Sequence, residues 1–260
     1  MARPKAIVLR SAGTNCDRET QYALEHAGFA AERVHVFRLM DNPTALKGYQ
    51  FLVIPGGFSY GDDVAAGKIL ANQMLHRLAE PLNEFLADGK LVLGICNGFQ
   101  VMIKSGLLPW GRVEPAVAAN DATLAWNDRG QFEDRWVHLR AESDSCVFLP
   151  KGELISLPIA HGEGKFVPRD DEVLSRLRDG GQVVLRYVDA AGNTGAGYPA
   201  NPNGSVDDIA GICDPTGRVF GLMPHPERFV DTTHHPQWTR KRPDRADGTL
   251  VFRSAMEYLA

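Results

Sequence analysis

A chain of 260 residues is long enough to bury a substantial core, and with 44% hydrophobic and 23% charged residues it lies far from the composition of disorder. A formal net charge of -4 with both signs interleaved excludes a global basic field for nucleic acid or an anionic membrane surface. Four separated cysteines, at 16, 96, 146 and 213, form no CxxC pair, which excludes a disulfide framework and fits a reducing compartment.

The first segment, "MARPKAIVLRSAG", holds a four-residue apolar run between Lys5 and Arg10, too short for a signal sequence, and nothing later approaches a membrane span. A cytoplasmic protein is expected. "KAIVLR" has the continuous apolar form of a buried parallel strand. Residues 17–27 have helical composition with acids near the start, and Gly28 supplies a stop. "AERVHVFRL" alternates like a second strand. "FLVIPGG" (51–57) repeats the first form, four apolar residues running into glycines. Residues 64–87 carry apolar side chains at helical spacing, with Pro81 forcing a kink or a new start. "GKLVLGIC" follows as another buried strand. This alternation over the first 105 residues predicts a parallel sheet covered on both faces, with Gly56-Gly57 and Gly94 to Gly98 at strand ends facing one crevice.

Further on, "RWVHLRA", "LISLPIAHG" and "QVVLRYVD" read as strands. "DIAGICDPTGRVFGLMPH" reads as a hairpin turning at Asp214-Pro215-Thr216-Gly217. These strands either extend the sheet or form an antiparallel flap. "GNTGAGYPANPNGSVDD" has the Gly, Asn and Pro content of a surface loop. Residues 234–248, "HHPQWTRKRPDRADG", form a surface insertion, and residues 249–260 a C-terminal helix. With no internal repeat, residues 1–260 are taken as one α/β domain: a mostly parallel central sheet, helices on both faces and a small antiparallel addition.

Within that frame, Gly94-Ile95-Cys96-Asn97-Gly98 places a cysteine between glycines at a strand-to-helix bend. Unpaired N–H groups and the positive end of a helix dipole favour thiolate there, and such sites lower a thiol pKa from about 8.5 by one to several units. The alternative is a buried cysteine acting as a small hydrophobe. A thiolate in acyl chemistry needs a base and a group that orients it. "MPHPER" offers both: if Pro224 and Pro226 hold the stretch extended, His225 and Glu227 project to one side. A histidine in a turn is otherwise structural. Backbone N–H groups of Gly57 and Asn97 are candidate donors to a developing oxyanion, although Gly56-Gly57 also fits a plain tight turn. The adjacent His234-His235 lack ligand spacing, so no metal is expected, and Cys16 in "GTNCDRE" is taken as a buried structural thiol. The chain has no G-x-x-x-x-G-K-[ST] loop for ATP.

Together, "GTNCDRE", "IPGGFSYGDD", "GICNGFQ", "LPIAHGEGKF" and "PNGSVDDIAGICDPTGRVFGLMPHPERF" resemble the class I glutamine amidotransferases, of flavodoxin-like fold, and within them the glutaminase subunits of phosphoribosylformylglycinamidine synthase. The likeness runs from about residue 5 to residue 230. It implies that Cys96 attacks the side-chain amide of L-glutamine to give a thioester and ammonia, that His225 moves the protons and that Glu227 orients His225. It assigns the oxyanion to Gly57 and Asn97, and the glutamine pocket to Gln100, His161 and Gly162. It also implies a partner synthetase that uses ATP and magnesium to make formylglycinamidine ribonucleotide in purine biosynthesis, a third small subunit, and no cofactor in this chain. Residues 234–248 depart from the compact end of small glutaminase subunits; Arg240, Lys241, Arg242 and Arg245 there either contact the synthetase or form a solvated loop. A free-standing γ-glutamyl hydrolase and a scaffold with a vestigial triad are the alternatives.

Overall fold

The computed structural model describes residues 3–113 and 121–260. Its first half alternates as expected: β1 (Lys5–Arg10), α1 (Asp17–Ala27), β2 (Ala30–His35), α2 (Val36–Asp41), β3 (Phe51–Ile54), α3 (Lys68–Arg77), α4 (Ala79–Ala87), β4 (Leu91–Ile95) and α5 (Asn97–Lys104). Then follow β5 (Ala122–Ala125), β6 (Glu133–Ala141), β7 (Leu154–His161), β8 (Lys165–Pro168), α6 (Asp171–Asp179), β9 (Val183–Val188), β10 (Ile209–Cys213), β11 (Val219–Leu222), α7 (Trp238–Lys241) and α8 (Thr249–Leu259).

One nine-stranded sheet has the order β2-β1-β3-β4-β11-β10-β9-β6-β7. Its parallel part, β2 to β11, is built from the runs AIVL, FLVI and LVLGI, whose residues are all buried, as strands covered on both faces require. The later strands extend this sheet in antiparallel pairs, and the small antiparallel addition is the separate pair β5–β8. β10 and β11 form the expected hairpin, and Asp214 Oδ1 accepts from Arg218 N and Val219 N inside its turn. Because β11 lies parallel to β4, the stretch after β11 leaves the sheet beside the stretch after β4. That juxtaposition brings residue 225 to residue 96.

Local chemistry explains where the elements depart from the pattern. The alternation after residue 30 holds only to His35, whose Nδ1 accepts from Phe37 N and starts α2, so "VFRL" is helical and Phe37 points to solvent. The long helix breaks at Leu78, ahead of Pro81, which then sits in the first turn of α4, where its missing N–H costs nothing. Residues 64–67 stay outside α3. The segment 192–208 is a surface loop only in its first part. Asn201, Asn203 and Ser205 are buried, Asn203 donates to Gly164 O and Tyr187 Oη, and Ser205 Oγ accepts from Phe166 N. This loop therefore braces β8. Helix α6 carried readable signals: Asp170 caps Val173 N, acids fill the first turn and Arg176 and Arg178 the last.

Helix α5 packs so tightly on the sheet that side chains are excluded. A Cβ on Gly98 would lie 1.9 Å from Ile54 O, and one on Gly94 would lie 2.1 Å from the Met102 sulfur. The two glycines around Cys96 thus serve close packing of helix on strand. In the 234–248 segment Arg240, Lys241 and Arg242 are exposed, whereas Arg245 pairs with Glu153 and Asp247. No helix among the described residues is long and apolar enough to cross a membrane.

Candidate active site

Cys96 follows β4 directly and is held at φ 50° and ψ −105°, a backbone conformation that costs a non-glycine residue about 1–3 kcal/mol. Two contacts hold it there: its N–H donates to Leu222 O of β11 at 2.8 Å, and its carbonyl accepts from Gln100 N in the first turn of α5 at 3.1 Å. The thiol therefore stands at the positive end of α5. It is 5% exposed and donates to Ala160 O at 3.6 Å.

His225 and Glu227 are each 1% exposed. His225 N–H donates to Pro158 O of β7, and its Nδ1–H donates to Glu227 Oε1 at 2.7 Å. The extended arrangement expected from the flanking prolines is not what joins them. His225 is followed at once by a tight 3₁₀ turn over Pro226–Arg228, and the turn folds the carboxylate back onto the ring. Nε2 is buried without an aligned partner. Burial works against a charge on this imidazole, but the charges of Glu227 and Cys96 outweigh it and hold the His225 pKa well above the ordinary value. The ring is thus near enough to Cys96 to feel its charge.

Cys16 reaches the same imidazole. Its sulfur, a ring nitrogen of His225 and a carboxylate oxygen of Glu227 lie within 4.8 Å of one another, all buried. It is a buried thiol, as expected, but it also packs against the His225 ring. Arg228 Nη2 donates to Cys16 Sγ at 3.2 Å, and burial pushes the thiol pKa up. These three donors could hold a soft cation only against the positive charge of Arg228, so the arrangement suits a proton carrier better than a metal. His235 packs on the rings of Trp136 and Phe229, with centroids at 4.6 and 5.9 Å, and His234 is exposed.

A cavity of about 300 Å³ opens beside the thiol, and Cys96, Gly57, Gln100, His161 and Gly162 all line it. Four residues named from the resemblance thus share one wall system with Cys96. Gly57 has φ +136°, and a Cβ there would sit 2.7 Å from Asn15 N, so only glycine fits. Asn97 is not among the lining residues. Its side chain turns inward, accepting from Ser59 N and donating to Asp62 Oδ1 and Gln100 Oε1. The backbone N–H groups of Gly57 and Asn97 make no hydrogen bond among the described residues. Gln100 spends both ends of its amide on the protein, donating to Glu163 O and accepting from Asn97. It shapes the cavity floor.

Sequence reasoning passed over Asn127, which is buried and orders the 161–164 turn. Its Nδ2 donates to His161 O at 2.9 Å, and its Oδ1 accepts from Gly164 N at 3.1 Å and lies 3.2 Å from His161 Nδ1. "AWNDRG" contains no signal for this role. Burial and the charge of His225 push the His161 pKa down to about 3, so this ring is neutral in the folded protein. The unfolded chain binds a proton near pH 6.5 that the native chain refuses, so stability is full above that pH and falls as the pH drops toward 3. Urea unfolding should show His161 contributing a loss of about 2–3 kcal/mol between pH 7 and pH 4.5. In His161→Gln the curve should be flatter over that range; an unchanged slope would refute this account.

Residues 3–259 match the family described as the CobB/CobQ-like glutamine amidotransferase domain. The phosphoribosylformylglycinamidine synthase subunit PurQ of Dehalococcoides mccartyi is 44% identical over 260 residues, which cover 99% of this chain and 98% of that protein. The PurQ subunit of Archaeoglobus fulgidus is 42% identical over 267 residues, covering 98% of this chain and 97% of that one. Among solved structures, PurLQS from Thermotoga maritima contains a chain that superposes with a TM-score of 0.75 at 35% identity over 100% of both chains. The glutaminase domain of Trypanosoma brucei CTPS, at 13% identity, TM-score 0.56 and coverage of 99% and 94%, shares the fold. The chain belongs to the CobB/CobQ-like glutamine amidotransferase domain family and groups there with the PurQ subunits of phosphoribosylformylglycinamidine synthase.

Proposed function

We propose that the chain is the glutaminase subunit of phosphoribosylformylglycinamidine synthase, hydrolysing L-glutamine at Cys96 and passing ammonia to an ATP- and magnesium-using synthetase. The observation that carries the mechanism is the buried His225–Glu227 pair, bonded at 2.7 Å through Nδ1 with Nε2 unengaged among the described residues, on a ring close enough to Cys96 to feel its charge. The Cys96 thiolate attacks the amide carbon, and the oxyanion takes the N–H groups of Gly57 and Asn97. As the tetrahedral adduct collapses, His225 Nε2–H gives its proton to the departing nitrogen, which leaves as ammonia and breaks the C–N bond. The neutral imidazole then removes a proton from water, whose oxygen attacks the thioester. Expulsion of sulfur yields glutamate and restores the thiolate beside a protonated His225. Glu227 stabilises that imidazolium and fixes the ring so that Nε2 faces the sulfur.

The unaligned Nε2 of the isolated subunit supports a site that tightens in the working complex. Ammonia released into bulk water is lost to synthesis, so coupling hydrolysis to docking is physically favoured. With the synthetase and a third small subunit present, glutamate release should rise at least about tenfold, the effect of roughly 1.4 kcal/mol in the barrier. Co-purification together with a glutamate assay with and without synthetase measures this. Full hydrolysis by the free chain, with no association, would sink it. Equal turnover of γ-glutamyl peptides would instead fit a free-standing hydrolase, and failure of a glutamine-like diazoketone to label Cys96 would fit a scaffold.

A further inference from the structure

Among the described residues, the cavity beside Cys96 is lined by two carboxylates, Asp62 and Glu163, and by no lysine or arginine. A glutamine whose amide lies against Cys96 brings an α-ammonium and an α-carboxylate with it, and of the two only the ammonium is attracted by carboxylates in the wall. The two carboxylates are not equivalent toward it. Glu163 Oε2 already accepts from Ala66 N at 3.3 Å and lies 3.8 Å from Lys104 Nζ, with both side chains largely buried. Its charge has a partner. Asp62 Oδ1 accepts from Gly67 N and from Asn97 Nδ2, each at 3.0 Å, while no hydrogen bond or ion pair within 4 Å reaches its Oδ2 among the described residues. Burial pushes the Asp62 pKa up, against the opposing pull of its two N–H donors and of the more distant Lys104 charge.

The backbone around Asp62 is built to present it. Tyr60, Gly61 and Asp62 have φ of 55°, 72° and 53°, three left-handed residues in succession, two of them with a Cβ. Tyr60 N donates to Ala12 O at 2.7 Å, and Tyr60 Oη donates to Gln73 Oε1 at 2.9 Å, which anchors the first residue of the turn through both backbone and side chain. We propose, in an inference that rests on the glutaminase function above, that Asp62 binds the α-ammonium of the substrate and makes the site selective for α-amino acid amides over simple amides. Through Asn97 Nδ2 the same carboxylate touches the residue whose N–H faces the oxyanion, so occupancy of the ammonium site steadies the start of α5.

That second contact dictates the test. The complex with its synthetase is assayed with glutamine and with glutaramate, which is glutamine without the α-ammonium. Asp62→Asn keeps the shape and removes the charge. For glutamine, kcat/KM should fall roughly 30- to 100-fold, mainly through KM, the scale of a charged hydrogen bond lost in a partly buried site. For glutaramate the variant and the parent should agree within about threefold, which also shows that the variant is folded. Equal losses for both substrates would overturn the assignment, since they would mean that Asp62 only positions Asn97. A glutamine-selective loss in Glu163→Gln and not in Asp62→Asn would overturn it as well. If the parent complex releases no glutamate from glutamine, the glutaminase function itself fails and this inference fails with it.

Discussion

Replacing Cys96 with serine should abolish glutamate release, by on the order of 10⁴-fold or more, while the complex continues to use free ammonia at its normal rate. The substitution is nearly isosteric, and the strained elbow is held by backbone bonds to Leu222 and Gln100 that a serine also makes. What changes is the nucleophile. A hydroxyl does not ionise near neutral pH at the end of α5, and the His225–Glu227 pair, arranged to carry a proton to a leaving amine, cannot make up for a missing thiolate. The readouts are glutamate formation and, separately, ammonium-driven product formation. Residual glutaminase above a tenth of the parent rate would point to Cys16, the second thiol against the same imidazole, and would refute Cys96 as the attacking atom.

How much of this site could be read from residue order depends on the range of the contacts involved. The strands β1, β3 and β4 announced themselves because burial on both faces demands unbroken apolar runs, and the glycines around Cys96 because α5 meets Ile54 O with no room for a Cβ. The parallel pairing of β4 with β11, which brings His225 to Cys96, follows from no local pattern; only the chemistry of "MPHPER" and the family likeness indicated it. "VFRL" passed for strand because four residues cannot separate a period of two from one of 3.6, and the His35 cap decided the outcome. β5 and β8 are too short to stand out, at four residues each. Cys16 against His225 and Asn127 under His161 are tertiary contacts without sequence signals. Asp62 lies within "IPGGFSYGDD", but nothing in that stretch marked it for the cavity wall where the structure places it.

His225→Asn should lower kcat by about 10³-fold or more, because the adduct on Cys96 then lacks a proton donor for nitrogen and, later, a base for water. The more diagnostic companion is Glu227→Gln. In the parent, burial alone would keep His225 neutral, and the Glu227 and Cys96 charges reverse that, so the ring stays protonated to higher pH than an ordinary histidine. Removing the Glu227 charge takes away the largest influence that opposes burial and leaves only those of Cys96 and Cys16. The imidazolium then gives up its proton at lower pH, and the alkaline limb of kcat/KM, where the proton donor is lost, should move to lower pH together with a fall in rate of about 10²-fold. A residue serving only to brace the 226–228 turn would lower the rate or the stability without moving that limb. An alkaline limb unchanged in Glu227→Gln would therefore remove Glu227 from the proton pathway, whatever the loss in rate.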